Sequence, residues 1–198
     1  MPPSPRAERR RVWDPAIRLF HWLLAVLVIA NWSLGQFGPD VMTLHFWLGY
    51  AILGLLVLRI VWGIIGPPEA RFARFVRGPA SVRQYLRGMW RREPSLWPGH
   101  TPLGALAVLA MLAALLVQVG TGLISDPDDF INVGPLAGAV GQPTARAAVG
   151  WHHLGGTVIL VLVLLHLAAI LFYRVWKRED LITPMITGWK WVRPRRRD

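Results

Sequence analysis

The 198-residue chain contains no cysteine and few acidic residues. Without cysteine it cannot form disulfides, thiolate zinc sites, cysteine-ligated iron–sulfur clusters or covalently attached c-type haem. Its 11 Asp and Glu stand against 22 Lys and Arg, and none of the acidic residues lies in the long apolar segments. A ligand site inside those segments therefore cannot be built from carboxylates.

The composition excludes an ordinary soluble domain. Hydrophobic residues make up 54% of the chain, 11 residues are Trp and the mean hydropathy is +0.39, which leaves too little polar surface for solvation. A formal charge of +11 would suit nucleic-acid binding, but the basic residues cluster between the apolar segments, as in membrane proteins. The first apolar segment lacks a small-residue cleavage site, so we expect a retained helix rather than a signal peptide.

Four segments are long enough to cross a bilayer, which takes roughly 20 residues. They cover residues 15–37, 44–65, 103–124 and 151–173, and Trp and Tyr mark their ends as interfacial residues do. The sequence predicts an all-α, integral membrane four-helix bundle over residues 15–176. A basic N-terminus (1–14), two loops (67–102 and 125–150) and a basic tail (177–198) complete the organisation.

The basic residues indicate the direction of the spans. The side of the membrane that holds loop 125–150 has one of them, Arg146, together with Asp40, Asp126, Asp128 and Asp129. The positive-inside rule therefore places both termini and loop 67–102 in the cytoplasm, and loop 125–150 on the outer side of the membrane. The basic residues on the cytoplasmic side are Arg6, Arg9, Arg10, Arg11, Arg18, Arg71, Arg74, Arg77, Arg83, Arg87, Arg91, Arg92, Arg174, Lys177, Arg178, Lys190, Arg193, Arg195, Arg196 and Arg197.

Two loops carry distinctive charge. The cytoplasmic loop mixes Arg with Phe, Trp and Tyr, which indicates a basic amphipathic segment on anionic lipid rather than a nucleic-acid site. The outer-side stretch ISDPDDF is acidic. It is either a solvated loop or a docking surface for a basic soluble cytochrome.

Four of the six histidines fall at two depths of the predicted bundle. His45 and His152 share the outer level, and His21 and His166 share the inner level, roughly 21 Å away along the fourth span. An axial pair of imidazoles from different helices is what a low-spin b-type haem requires. We therefore predict two haems b that form an electron path across the membrane. Histidines bonded to helix backbone are the alternative, and a zinc or copper site would need carboxylates that the spans lack.

Helix geometry separates the adjacent histidines His152 and His153. Fourteen residues, from His152 to His166, come to about 1400°, which is roughly 40° short of four full turns. Thirteen residues, from His153, leave the two side chains about 140° apart. His152 is therefore predicted to be the ligand, while His153 faces a neighbour, a propionate or the headgroups.

Other residues are predicted to have supporting roles. Arg59 lies fourteen residues after His45, and an arginine at that depth needs an anionic partner such as a haem propionate, unless it snorkels to the interface. Arg18 is a similar candidate, and His100 is expected at the interface. Arg18, Arg59 and His100 are also candidate donors to a quinone near the inner haem. Five glycines are predicted either to give a haem macrocycle room or only to let helices pack closely. They are Gly49, Gly120, Gly122, Gly155 and Gly156.

Several stretches between residues 12 and 188 resemble the bacterial di-haem cytochromes of the prokaryotic cytochrome b561 family, which include the cytochrome b subunits of nickel–iron hydrogenases. They are VWDPAIRLFHWLL, LHFWLGYAILGLLVLRIVWG, ARFARFVRGP, GHTPLG and HHLGGTVILVLVLLHLAAILFY. The resemblance implies that His21, His45, His152 and His166 ligate two haems b. It also implies electron transfer between quinone and a periplasmic partner such as a c-type cytochrome or an oxidoreductase subunit.

Two features differ from the family pattern. His152-His153 stands where relatives usually have His-Glu, and four spans are present where hydrogenase subunits commonly have five. A hydrogenase cytochrome b subunit is therefore an alternative hypothesis. A superoxide:quinone oxidoreductase is a further alternative hypothesis. Such an enzyme needs a basic entrance on the outer side to attract the superoxide anion, whereas the predicted outer surface is acidic.

Overall fold

A computed structural model describes residues 7–194 of the chain. Arg6 and the arginines at 195–197, which contributed to the predicted orientation, lie outside the described residues. In chain order the elements are β1 (Glu8–Arg11), α1 (Pro15–Phe37), α2 (Thr43–Ile65), α3 (Phe72–Phe75), α4 (Pro79–Gly88), α5 (Pro102–Ile124), a 3-10 turn (Ala137–Ala139), α6 (Gln142–Val175), α7 (Ile182–Thr187) and β2 (Trp189–Val192).

The predicted all-α class and the four long apolar helices are confirmed. α1, α2, α5 and α6 are long and apolar enough to cross a membrane, and three of them match the predicted bounds to within one residue. α6 differs because it begins at Gln142, nine residues before the predicted span. Pro143 stands in its first turn, where proline is tolerated, and the alanines that follow favour helix. With 34 residues, α6 is about 51 Å long.

The chain divides into two compact units, and each of the four long helices contributes residues to both. The first, the bundle unit, comprises residues 21–59 and 109–163. Its core consists of Ile52 and Leu56 from α2, Leu115 from α5 and Ile159 from α6, with α1 side chains packed against them. The outward positions are apolar as well, for example Val26 and Val117. An apolar exterior around an apolar core is the pattern of a bundle surrounded by lipid.

The second, the terminal unit, comprises the described residues 7–20, 60–108 and 164–194. Its two strands pair antiparallel, with Arg10 opposite Lys190. The turn before β2 is held by Gly188, whose φ of +88° suits glycine. The carbonyl of Gly188 accepts hydrogen bonds from the amides of Val12 (2.8 Å) and Trp13 (3.2 Å). The sequence interpretation missed this strand pair, which holds together the two ends of the described chain.

A buried carboxylate connects three parts of the terminal unit. Glu179 accepts hydrogen bonds from the amide and hydroxyl of Ser95 (2.6 and 2.7 Å) and pairs with Lys190 Nζ at 2.8 Å. The two side chains of the ion pair are 5% and 6% exposed. Glu179 therefore links β2 and the segment before α5 to the end of α6.

Candidate haem-binding site

The bundle unit brings two of the predicted ligands together. His45 lies in the first turn of α2, and His152 lies eleven residues into α6. Their ring centroids are 5.9 Å apart and the ring planes are at 80° to each other. Since a metal–imidazole bond is about 2.0 Å long, this separation allows one iron to be bound by both rings.

Backbone carbonyls define which nitrogen of each ring carries hydrogen. His45 Nδ1 lies 3.1 Å from the carbonyl oxygen of Asn31, and His152 Nδ1 lies 2.9 Å from that of Gln118. Because a carbonyl only accepts, both Nδ1 atoms donate, and in the neutral rings Nε2 keeps its lone pair. The Gln118 side-chain nitrogen is 3.2 Å from His152 Nε2 and donates a hydrogen bond to the lone pair of that nitrogen. Nε2 is thus the nitrogen of each ring that a metal would bind, and at His152 the metal would displace the Gln118 amide.

Glycines give the two imidazoles room. A Cβ on Gly122 would lie 2.9 Å from His152 Cε1, and a Cβ on Gly35 would lie 3.3 Å from His45 Cε1. A Cβ on Gly155 would overlap Gln118 Oε1. Gly122 and Gly155 were among the predicted glycines, whereas Gly35 was missed. No sequence signal separates Gly35 from a glycine of ordinary helix packing.

The rings border a cavity of about 340 Å³ inside the bundle unit, a size found among cofactor sites. Its walls are mainly apolar, and its polar lining includes four side-chain amides. Among the described residues, Asn31 Oδ1 and Gln118 Oε1 are buried without a hydrogen-bond donor. A group with donors would satisfy them. The polar lining residues are Asn31, Gln36, His45, Gln118, Ser125, Asp129, Asn132, His152 and His153.

The donor set suits haem better than a bare metal ion. Within residues 7–194 no group of three or more His, Asp or Glu side chains is arranged to hold a metal. Two imidazoles leave zinc or copper short of ligands, whereas the macrocycle of haem supplies four nitrogens and needs only axial partners. The residues present at this site therefore fit an axially ligated haem.

Two other predicted glycines and His153 differ in whether they border the cavity. Gly49 lines the cavity, and a Cβ there would meet only Asn31 Nδ2, at 3.9 Å. Gly120 faces open space, because a Cβ there would have nothing within 4 Å. His153 is exposed and also lines the cavity.

The inner predicted residues are divided between the units. His21 belongs to the bundle unit, where its ring meets that of Trp22 edge to face at 5.2 Å, and His166 belongs to the terminal unit. Arg59, at the boundary of the bundle unit, is 5% exposed. A buried guanidinium at the level of an apolar helix requires an anionic or strongly polar partner.

Two further predicted residues lie in the terminal unit. Arg18 donates a hydrogen bond to the carbonyl of Ile186, so its guanidinium contacts the turn that precedes β2. The ring of His100 lies between those of Trp13 (4.6 Å between centroids) and Phe75 (4.7 Å). Aromatic packing of this kind is typical of an interfacial position.

Comparisons with known proteins show which proteins this chain is similar to. A probable Ni/Fe-hydrogenase B-type cytochrome subunit of Azotobacter vinelandii is 25% identical over 224 residues, which cover 94% of this chain and 90% of that protein. Similar subunits of Bradyrhizobium diazoefficiens (24%; 89% and 84% covered) and Escherichia coli K12 (22%; 90% and 89% covered) also match. No solved structure matches the chain significantly.

The family model for prokaryotic cytochrome b561 matches residues 12–188, which is nearly the whole chain. That range contains all four long helices and all six histidines. Membership of a b-type cytochrome family implies haem and a role in membrane electron transport. The chain belongs to the prokaryotic cytochrome b561 family of multi-pass membrane electron carriers.

Proposed function

We propose that the chain is a di-haem b-type cytochrome of the bacterial inner membrane, which carries electrons between the quinone pool and a periplasmic redox partner. One observation carries the proposal. His45 and His152 border one cavity, and each donates its Nδ1 hydrogen to a backbone carbonyl of another helix. This arrangement fixes two imidazoles, whose ring centroids are 5.9 Å apart, beside a cavity that a cofactor would fill.

The outer haem would be held by His45 and His152. Haem b, when bound, supplies a one-electron Fe(III)/Fe(II) couple. The Asn31 and Gln118 carbonyls fix the orientation of the rings and make them better ligands. The buried side-chain oxygens of the same two residues make the cavity locally polar, and local polarity tunes the potential of the bound group.

The inner haem is assigned to His21 and His166 from the sequence. His166 follows His152 by fourteen residues on the continuous helix α6, so the two share nearly one face. Arg59, which is buried, is the proposed partner of an inner propionate. Arg18 and His100 are proposed to line the quinone site on the cytoplasmic side, where the positive-inside rule leads us to expect both termini.

The proposed periplasmic partner is a basic protein, such as a c-type cytochrome or an oxidoreductase subunit. The loop around Asp126, Asp128 and Asp129 is acidic, and Arg146 is paired with Asp128 at 2.8 Å. The amides of Asn132 and Ile131 donate to Asp129 and lower the pKa of its carboxyl, so Asp129 stays charged at neutral pH. A superoxide-binding funnel would need the opposite charge.

A hydrogenase subunit is the second candidate. The relatives named as probable Ni/Fe-hydrogenase cytochrome subunits align over about nine-tenths of this chain. In this case the periplasmic partner would be the electron-transferring subunit of a hydrogenase. The haem ligands would be unchanged, so the two candidates differ only in what docks at the outer surface.

The test is purification in detergent followed by haem quantification and reduction of the protein in liposomes. We expect two haems b per chain and their reduction by an added quinol. Oxidation by a soluble c-type cytochrome supports the first candidate, while hydrogen-dependent reduction in a co-purified complex supports the second. A purified, folded protein without haem would contradict both.

A further inference from the structure

The terminal unit contains a second cavity, of about 570 Å³, which the proposed electron transfer does not use. Its lining includes four cationic side chains, those of Arg87, Arg91, Lys177 and Arg193. Glu93 is the single carboxylate in the lining. The wall is therefore strongly positive, and we call this cavity the basic pocket.

Lys177 is the unusual member of the basic pocket, because it is only 4% exposed. Its Nζ donates to the carbonyls of Met89 (3.3 Å) and Arg91 (3.1 Å). These use two of the three ammonium hydrogens but supply no negative charge. A buried ammonium normally has a counter-charge, yet none of the salt bridges formed within residues 7–194 includes Lys177.

The three arginines of the basic pocket are exposed, unlike Lys177, but they also lack a counter-charge within the described residues. Among the described residues, the guanidinium groups of Arg87, Arg91 and Arg193 form no ion pair. Guanidinium forks match the geometry of phosphate oxygens, and a lysine adds a point charge to such a site. Ser81 and Gln84 add neutral hydrogen-bonding groups to the lining. These groups together would bind a phosphate group.

The position along the chain indicates where such a phosphate comes from. Lys177 stands two residues after the end of α6 at Val175, a helix able to cross the membrane. Two indoles reach the surface nearby, those of Trp90, which is 67% exposed, and Trp176, which is 39% exposed. Trp at the end of a membrane helix lies at the level of lipid headgroups. Lipid phosphates are therefore the nearest abundant anions.

We infer that the basic pocket binds the phosphate of an anionic phospholipid headgroup. Arg87 and Arg91 would hold the phosphate oxygens, and Lys177 would gain the counter-charge that its carbonyl partners do not provide. The exposed indoles of Trp90 and Trp176 offer an apolar surface for the start of the acyl chains. This inference does not depend on haem or on the direction of electron flow.

The test is native mass spectrometry of the detergent-purified holoprotein with phosphatidylglycerol, phosphatidylcholine or inorganic phosphate added. The double variant Arg87→Gln/Arg91→Gln removes two pocket cations. Arg74→Gln/Arg83→Gln removes two exposed arginines outside the pocket lining and is the charge-matched control. We expect phosphatidylglycerol binding to weaken about tenfold or more in the pocket variant and to be unchanged in the control, with phosphatidylcholine weaker in all three proteins.

Equal phosphatidylglycerol binding in the pocket and control variants would overturn the inference. Binding of inorganic phosphate with no preference for phosphatidylglycerol would overturn the lipid assignment and point to a soluble phosphate compound. Lys177→Met gives a second readout. Added phosphatidylglycerol should raise the melting temperature of the wild type and leave that of this variant unchanged, and equal shifts would count against the inference.

Discussion

The two units of the molecule bury different kinds of polar group. In the bundle unit the buried or half-buried polar groups beside the cavity are neutral: two imidazoles, which donate to helix carbonyls, and side-chain amides. In the terminal unit they are the charged side chains of Lys177, Glu179 and Lys190. Arg59, at the boundary of the bundle unit, is a buried charge outside that pattern.

This difference follows from what each unit has to hold. Neutral imidazoles can stay in an apolar bundle at modest cost and keep a lone pair for a metal. Charges in the terminal unit are compensated by ion pairing and by hydrogen bonds, and they connect distant segments of the chain. The bundle unit thus offers an uncharged environment for a ligand, and the terminal unit is suited to fixing the chain ends and, by our inference, to holding an anion. Variants can break each arrangement separately.

The largest expected effect is on the haem content of Gly122→Val. The added side chain would overlap His152, whose Cε1 would be 2.9 Å from the new Cβ, and moving the ring breaks its hydrogen bond to the Gln118 carbonyl. We expect about half of the haem to be lost, measured as the pyridine haemochrome per chain. Gly120→Val is the matched control two residues away, where a Cβ meets open space, and it should keep the full content. The reverse outcome would contradict the geometry of the site.

The second effect is on stability in the terminal unit. Glu179→Gln leaves Lys190 buried and without its counter-charge, so we expect a loss of about 3–5 kcal/mol in thermal or denaturant unfolding, with haem content unchanged in the protein that remains folded. Arg174→Gln breaks an ion pair with Asp180 whose side chains are 61% and 40% exposed. That control should cost at most about 1 kcal/mol. Equal losses of unfolding free energy in the two variants would show that the buried Glu179–Lys190 pair stabilises the protein no more than an exposed pair does.

The same carboxylate gives a pH dependence. Burial alone would raise the pKa of Glu179, but the charge of Lys190 and the hydrogen bonds from Lys190 and Ser95 outweigh it and lower the pKa below 4.5. A depressed folded-state pKa means that the stabilisation is fully present above the unfolded value and is lost as pH falls through the folded one. The stability difference between wild type and Glu179→Gln should therefore shrink below about pH 4.5. A difference that grows on acidification would be inconsistent with the ion pair.

The smallest effect is expected from Gly35→Ala. Its Cβ would lie 3.3 Å from His45 Cε1, a tight contact that a shift of a few tenths of an ångström relieves. We expect both haems to remain and the outer one to change its midpoint potential slightly, because the ring orientation changes. A spectroelectrochemical titration would measure this. Complete loss of a haem would mean that His45 has no freedom to move.

Hydropathy and helical periodicity predicted much of this molecule. The four helices follow from apolar length, and the pairing of His45 with His152 follows from their equal depth on different spans. The carbonyl partners at Asn31 and Gln118 could not be predicted, because the carbonyl that an imidazole meets depends on how the helices pack. Gly35 was missed for the same reason.

The terminal unit was the least predictable part. From sequence its ends are only a basic N-terminus and a basic tail, and charge normally indicates exposure. In β2, however, Lys190 and Val192 are buried while Trp189 and Trp191 are 44% and 46% exposed. Hydropathy alone would select the opposite face. Only the distant carboxylate of Glu179 explains the burial of Lys190, and its position is set by tertiary structure.

The most direct test of the central claim compares His152→Ala with His153→Ala in the number of haems b bound per chain. The two residues are adjacent on α6 and both border the cavity, but only His152 donates Nδ1–H to the Gln118 carbonyl and packs against His45. The account predicts that His152→Ala loses the outer haem and that His153→Ala keeps both. Loss of a haem in His153→Ala with both retained in His152→Ala would contradict it.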